Sequence, residues 1–163
     1  MISNSLTIKM KTTIIVCLTL LLAAGCGRTA EKELAFRKDF KKTWDATMTA
    51  SDQAQEKIET AYAAGDVATV VAEYRVLEKR FNDSAGETEK LKPPEGYAKL
   101  KKLTITYYRE GASYYQMVAK VVKDTGGNYG TTQEETVKAQ EKKWQKATES
   151  LERELKRKRF ELK

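Results

Sequence analysis

The sequence predicts an all-α protein, an antiparallel up-down four-helix bundle with long helices. Three observations point there. Asp, Glu, Lys and Arg make up 33% of the chain, and sequences rich in Ala, Glu, Lys and Leu with helical periodicity form long packed helices. Apolar residues recur at alternating spacings of three and four, which places them on one helix face. The chain has two prolines, the adjacent pair Pro93 and Pro94, so long stretches are free of helix breakers. Aromatic residues at helical spacing argue against disorder. The alternative architecture is a three-helix, spectrin-like arrangement.

The first helix is expected from about Ala30, with Phe40, Trp44, Thr47, Ser51, Ala54, Ile58 and Ala61 along one face and Leu34 and Phe36 extending it. Its apolar side chains are large at the start and small in the middle. Gly65 then suits a left-handed helix end and Asp66 an N-cap, so a short antiparallel hairpin follows. The second helix carries Val67, Val70, Val71, Tyr74, Leu77 and Phe81. Asn82 to Gly86 is weak, and Ser84-x-x-Glu87 could restart the helix as a capping box. A continuous, locally frayed helix keeps Ala85, Thr88 and Leu91 in register, and Pro93 ends it by disfavouring helical geometry at Lys92.

The third helix is expected from Pro94 or Glu95, with Leu100, Leu103, Tyr107, Tyr114, Val118, Val121 and Val122 as its stripe. Gly111 lies on that stripe and would allow close approach of a neighbour. Gly126-Gly127-Asn128-Tyr129-Gly130 is the clearest loop. Thr132-x-x-Glu135 reads as a capping box opening the fourth helix, whose face is Val137, Trp144, Ala147, Thr148, Leu151 and Leu155. The basic stretch Lys156 to Phe160 is expected to loosen. Four helices of about 25 to 34 residues would each span roughly 40 to 50 Å.

Residue absences exclude much chemistry. There is no histidine, which removes Ser-His-Asp and Cys-His nucleophile sites and every imidazole metal site, including the Glu-x-x-His pairs of bundle metal centres. The glycine-rich segment lacks the strand and the Lys-Ser/Thr of a phosphate loop. Glu134-Glu135 sits in a solvated first turn, where carboxylates oppose the helix dipole instead of acquiring separated pKa values. The reading is therefore no enzyme, no metal and no cofactor.

The N-terminal segment is different in kind. Lys9-Met10-Lys11 supplies a positive region and Thr12 to Ala24 an apolar one, too short to span a membrane as an ordinary helix. It ends in Leu22-Ala23-Ala24-Gly25-Cys26, which resembles the bacterial lipobox; the large aliphatic residue usual three places before cysteine is Ala23 here, with Leu22 one further out. The resemblance implies a diacylglyceryl group on the Cys26 sulfur, cleavage between Gly25 and Cys26, and an acyl chain on the new amine. Other readings are an ordinary secretory signal and an uncleaved anchor. The division is then 1–25 signal peptide, 26–30 lipidated tether and 31–163 helical bundle, with Met10 a possible true start. Gly27 in place of Asp implies the outer membrane if the cell has one, and otherwise the outer face of the plasma membrane. Leu91-Lys92-Pro93-Pro94 with Tyr97 and Leu100 is similar to a turn in small helical lipoproteins of unknown function, which bears on architecture alone.

With Cys26 acylated and Cys17 in the leader, no cysteine is left for a disulfide. Without Lys9 and Lys11 the chain holds 28 basic and 23 acidic residues. For an exported protein that excess suggests anionic lipid or cell-wall polymer over nucleic acid, or simply solvated helix faces. An even number of antiparallel helices brings both chain ends to one end, so Arg153, Lys156, Arg157, Lys158 and Arg159 could meet lipid headgroups; their other role is to complement the helix dipole. Tyr107-Tyr108 and Tyr114-Tyr115 form either an aromatic platform or core-and-boundary packing. Two functions are expected: an anchored interaction or structural module binding an envelope protein or wall polymer, or a small-ligand or inhibitory lipoprotein with a crevice at Tyr107, Tyr114 and Trp144.

Overall fold

The structure, a computed structural model, describes residues 27–160, with side chains from residue 30. Four helices make up this part: α1 (Gly27–Ala63), α2 (Val67–Lys90), α3 (Ala98–Thr125) and α4 (Thr131–Arg157). They run up and down in turn. Thr47 meets Ser84 and Lys57 meets Glu73 between α1 and α2. Phe81 and Tyr74 meet Tyr108 and Tyr115 between α2 and α3, and Lys99 and Glu110 meet Glu154 and Gln140 between α3 and α4. Rings also cross the middle, Trp44 onto Tyr107 and Phe81 onto Trp144. The result is the four-helix bundle, not the three-helix alternative.

α1 is described from Gly27 to Ala63, 37 residues that extend about 55 Å. It ends as expected. Gly65 takes φ +69°, and the Asp66 and Gly65 amides donate to the carbonyls of Ala61 and Tyr62 at 2.9 and 3.1 Å. Asp66 then caps α2 by accepting from the Thr69 amide at 3.0 Å, and the Thr69 hydroxyl and amide hold its carboxyl below the usual range.

α2 runs unbroken through Asn82–Gly86. The expected fraying is absent because Ser84, Ala85 and Thr88 are buried against the neighbouring helices. Ser84 donates to the Arg80 carbonyl and meets Thr47, so it caps nothing. Two further starts differ from expectation. α3 opens at Ala98, after a turn in which the Tyr97 amide donates to Pro94 O at 3.1 Å and Gly96 takes φ +79°; that left-handed residue cannot be part of a helix. α4 opens at Thr131 with Gly130 as its cap and no side-chain cap bond. Thr132 already lies inside the helix, so the Thr132–Glu135 box does not form.

α2 packs closest on α3, with α1 on α2 and α4 on α3, while α1 and α4 never bring Cα atoms within 8 Å of each other. Side chains close that fourth side. The core has an aromatic end near both chain ends, built on Phe36, Phe40, Trp44, Phe81, Tyr107, Tyr108 and Phe160. An aliphatic end follows with Ala54, Ile58, Val70, Leu77, Val118 and Val122. Small hydroxyl residues line the α1–α2 contact: Thr47 and Ser84 are fully buried with hydroxyls 2.6 Å apart, each also within reach of the carbonyl one turn back, so that one proton crosses the pair and the other goes to a carbonyl. Gly111 serves a ring instead of a backbone. A Cβ there would stand 2.5 Å from Phe81 Cδ1 and 3.1 Å from Trp144 Cε2.

Candidate functional site

The basic C-terminal segment is ordered by the chain around it, contrary to the expected loosening. Phe160 and Arg159 amides donate to the carbonyls of Leu155 and Lys156 at 2.9 and 3.1 Å, and Arg159 takes φ +49°. This is a Schellman ending with arginine where glycine is usual. Phe160 thereby folds back into the core, its ring 4.9 Å from that of Phe40. Burial of that ring is the physical reason the segment holds.

Arg37 of α1 fastens the same ending from outside. Its guanidinium donates to the carbonyls of Lys158 and Arg159 at 3.1 and 3.3 Å and to the Tyr97 hydroxyl at 2.6 Å. Nε reaches Glu33 at 2.9 Å, and the group lies 4.9 Å over the Phe160 ring. The free carbonyls of a helix C-terminus carry partial negative charge, so a cation there is favourable. Tyr97 donates to Glu33, which with Arg37 holds the Glu33 carboxyl below its ordinary range. Lys158 in turn lies 4.7 Å over the Tyr97 ring. N-terminal helix, α2–α3 turn and C-terminal segment thus meet at one end.

The five basic residues singled out from sequence are therefore not equivalent. Arg157 is spent on Glu154, which it contacts through Nε at 3.0 Å and through Nη2. Lys99 adds a second cation at 3.6 Å, and these groups hold the Glu154 carboxyl low although its side chain is 2% exposed. Lys158 is half-buried on Tyr97. Arg153 is exposed and hydrogen-bonded to Ser150 at 3.1 Å. Lys156 and Arg159 are exposed and have no carboxylate partner among the described residues. Glu154 escaped the sequence reading because it looks like any surface glutamate; its one signal is its place beside Leu151 and Leu155.

Charge is divided along the bundle. Cut at the level of the Thr47–Ser84 contact, the half with the chain ends (30–46, 85–105 and 146–159) holds 16 basic and 10 acidic residues. The other half (47–84 and 106–145) holds 10 basic and 12 acidic residues. One half is net +6 and the other net −2 by this count. Leu34, the most exposed large apolar side chain among the described residues at 70%, lies on the basic half.

Tyr107, Tyr114 and Trp144 do come together. Trp144 lies 5.8 Å from Tyr107 and 5.3 Å from Tyr114, centroid to centroid. Tyr107 is 2% exposed and Tyr114 7%, and burial pushes the Tyr114 hydroxyl up to about 12. The Trp144 indole N–H is buried among these rings without an acceptor. Two open surface hollows of about 530 and 410 Å³ lie elsewhere, at Glu56–Asp66 between α1 and α2, and beside Met117 and Thr136 between α3 and α4. A pairing the sequence did not signal is Tyr62 with Tyr129, hydroxyls 3.1 Å apart, tying α1 to the α3–α4 loop at the far end. No group of three or more potential metal ligands occurs among the described residues.

The lipidation and cleavage residues Cys26 and Gly25 lie outside the described residues. Among those described, no helix is long and apolar enough to cross a membrane. No family model matches the chain, and neither a curated protein nor a solved structure does.

Proposed function

We propose that this chain is a lipoprotein of the bacterial envelope, held at a membrane through lipid on Cys26 and acting as a non-enzymatic interaction or structural module. The observation that carries the reading is Leu22-Ala23-Ala24-Gly25-Cys26 at the end of a short apolar run. Two acyl-bearing groups matter, since a single chain binds a membrane only marginally. Helix from the first described residues onward supports a rigid body held close to the anchor. A partner, whether an envelope protein or a wall polymer, would then meet an exposed helix face or the net-negative far half. The small-ligand alternative is the weaker reading because the Tyr107, Tyr114 and Trp144 rings fill the space between themselves.

The test is Cys26→Ala expressed in the native host with a clickable fatty-acid analogue. The reading expects label and membrane fractionation for the natural chain, and loss of label with the substitution. Equal labelling of both proteins would sink it.

A further inference from the structure

The structure assigns a second membrane contact: we propose that the end of the bundle bearing Leu34, Lys38, Lys92, Lys156 and Arg159 docks on anionic phospholipid. This rests on the anchored-lipoprotein reading and names the surface that the anchored body touches. Each of the four cations is exposed and has no carboxylate within ion-pair distance among the described residues. Several other cations of this half are occupied: Arg37 pairs with Glu33, Lys41 with Asp45, Lys99 and Arg157 with Glu154, and Lys101 donates to the Glu89 and Leu91 carbonyls. Lys32, Lys42, Lys90, Lys102 and Lys146 are exposed without an ion-pair partner among the described residues and add to the same positive charge.

Three independent features make the occupant a lipid surface. The first is charge: the half facing the anchor is net +6 and the half away from it net −2, so an anionic leaflet attracts one end and repels the other. The second is distance. Along α1 the rise from Gly27 to Leu34 is about 10 Å, and the Debye length at physiological salt is about 8 Å. Lys38 and the C-terminal cations, which lie at the level of Arg37, stand about 15 Å from Gly27 along α1, outside that range when the bundle is upright and inside it when the bundle leans. The third is Leu34. A lone exposed leucine means little, but on the helical wheel it falls within about 40° of Lys38, one turn from Arg37 and on the flank of α1 turned toward α4. A lean onto that flank brings an apolar side chain and the C-terminal cations to the headgroups together.

The C-terminal cations keep fixed positions because Arg37 and the buried Phe160 hold the ending in place. Glu31, Asp39, Glu95, Glu149 and Glu152 are the exposed carboxylates of this half without an ion-pair partner among the described residues. They reduce the attraction without reversing it, as the net +6 already counts them.

The experiment uses the lipidated protein with Leu34→Cys carrying an environment-sensitive fluorophore, in vesicles of phosphatidylcholine alone or with phosphatidylglycerol. The expected result is a blue-shifted, lipid-quenchable emission in the anionic vesicles, reversed by high salt. One basic residue near an anionic leaflet is worth about 1 kcal/mol, about fivefold in the docked-to-undocked ratio. Lys38→Gln, Lys92→Gln, Lys156→Gln and Arg159→Gln combined therefore cut that ratio by more than a hundredfold, with helix content unchanged by circular dichroism. Identical emission in both vesicle types, or phosphatidylglycerol dependence that survives the combined variant, overturns the inference. So does a shift seen only when a soluble anionic polymer is added to phosphatidylcholine vesicles, which assigns the face to wall polymer. Mass analysis of the N-terminal peptide on the same sample reports the lipid on Cys26 separately. An anchored protein without docking and a docking protein without lipid are thereby distinguished.

Discussion

Two glycines inside helices should respond to alanine with opposite signs. Alanine is favoured over glycine in a helix interior by up to about 1 kcal/mol. At Gly86 the new methyl meets nothing within 4 Å, so Gly86→Ala gains about 0.5 to 1 kcal/mol. At Gly111 the methyl lands 2.5 and 2.6 Å from two Phe81 carbons, where ordinary carbon contacts are about 3.5 to 4.0 Å. The Phe81 ring must retreat by about 1 Å, but Tyr107, Tyr108, Tyr115 and Trp144 surround it at centroid distances of 6.0, 5.8, 5.2 and 5.6 Å. Forcing atoms into such a core costs about 1 to 3 kcal/mol. Gly111→Ala should then lose about 1 kcal/mol net. The propensity gain cancels between the two variants, so their difference measures overpacking directly. Thermal unfolding followed by circular dichroism would show Tm raised for Gly86→Ala and lowered for Gly111→Ala, at about 3 to 5 °C per kcal/mol. An equal rise in both would refute the packing assigned to Phe81.

Three further outcomes follow from the chain-end contacts. Arg159→Gly relieves a left-handed residue with a Cβ and should stabilise by about 0.5 to 1 kcal/mol in urea unfolding, because the Arg37 bond goes to the backbone. Phe160→Ala should cost about 3 kcal/mol and expose the segment after Arg157 to proteases; unchanged proteolysis would contradict the docked ending. Glu33 and Glu154 have folded pKa values depressed by hydrogen bonds from Tyr97 and Arg157 respectively. Their contribution is fully present above the unfolded glutamate value of about 4.3 and is lost as pH falls through the lower folded values. Tm should therefore drop on acidification below about pH 5, and Glu33→Gln with Glu154→Gln should flatten that drop.

The helices were legible because each buries one stripe: Phe40, Trp44, Thr47, Ala54, Ile58 and Ala61 are all buried, at helical spacing. The Gly65–Asp66 turn was legible because its chemistry is local. What failed was capping, where a sequence pattern competes with tertiary contacts. Ser84 was drawn to Thr47, and Tyr97 starts α3 with its ring in the core against Phe36. Tyr108 lies beside the α3 stripe by spacing, next to Tyr107, yet is 1% exposed. α3 packs against α2 and α4 and faces α1 through Trp44, so its buried arc is wider than one stripe. The order of the C-terminal segment depends on Arg37, more than a hundred residues away, and no local pattern announces such a contact. Of the candidate site, sequence supplied the basic residues and the three rings. It could not tell which cations were already paired.

Everything proposed about location and role hangs on Cys26. Mass spectrometry of the N-terminal peptide of protein extracted from the cell envelope tests it most directly. The proposed function expects a peptide beginning at Cys26 with a diacylglyceryl thioether, with or without an acyl group on its amine. A peptide with unmodified Cys26, or one that begins elsewhere, would contradict it.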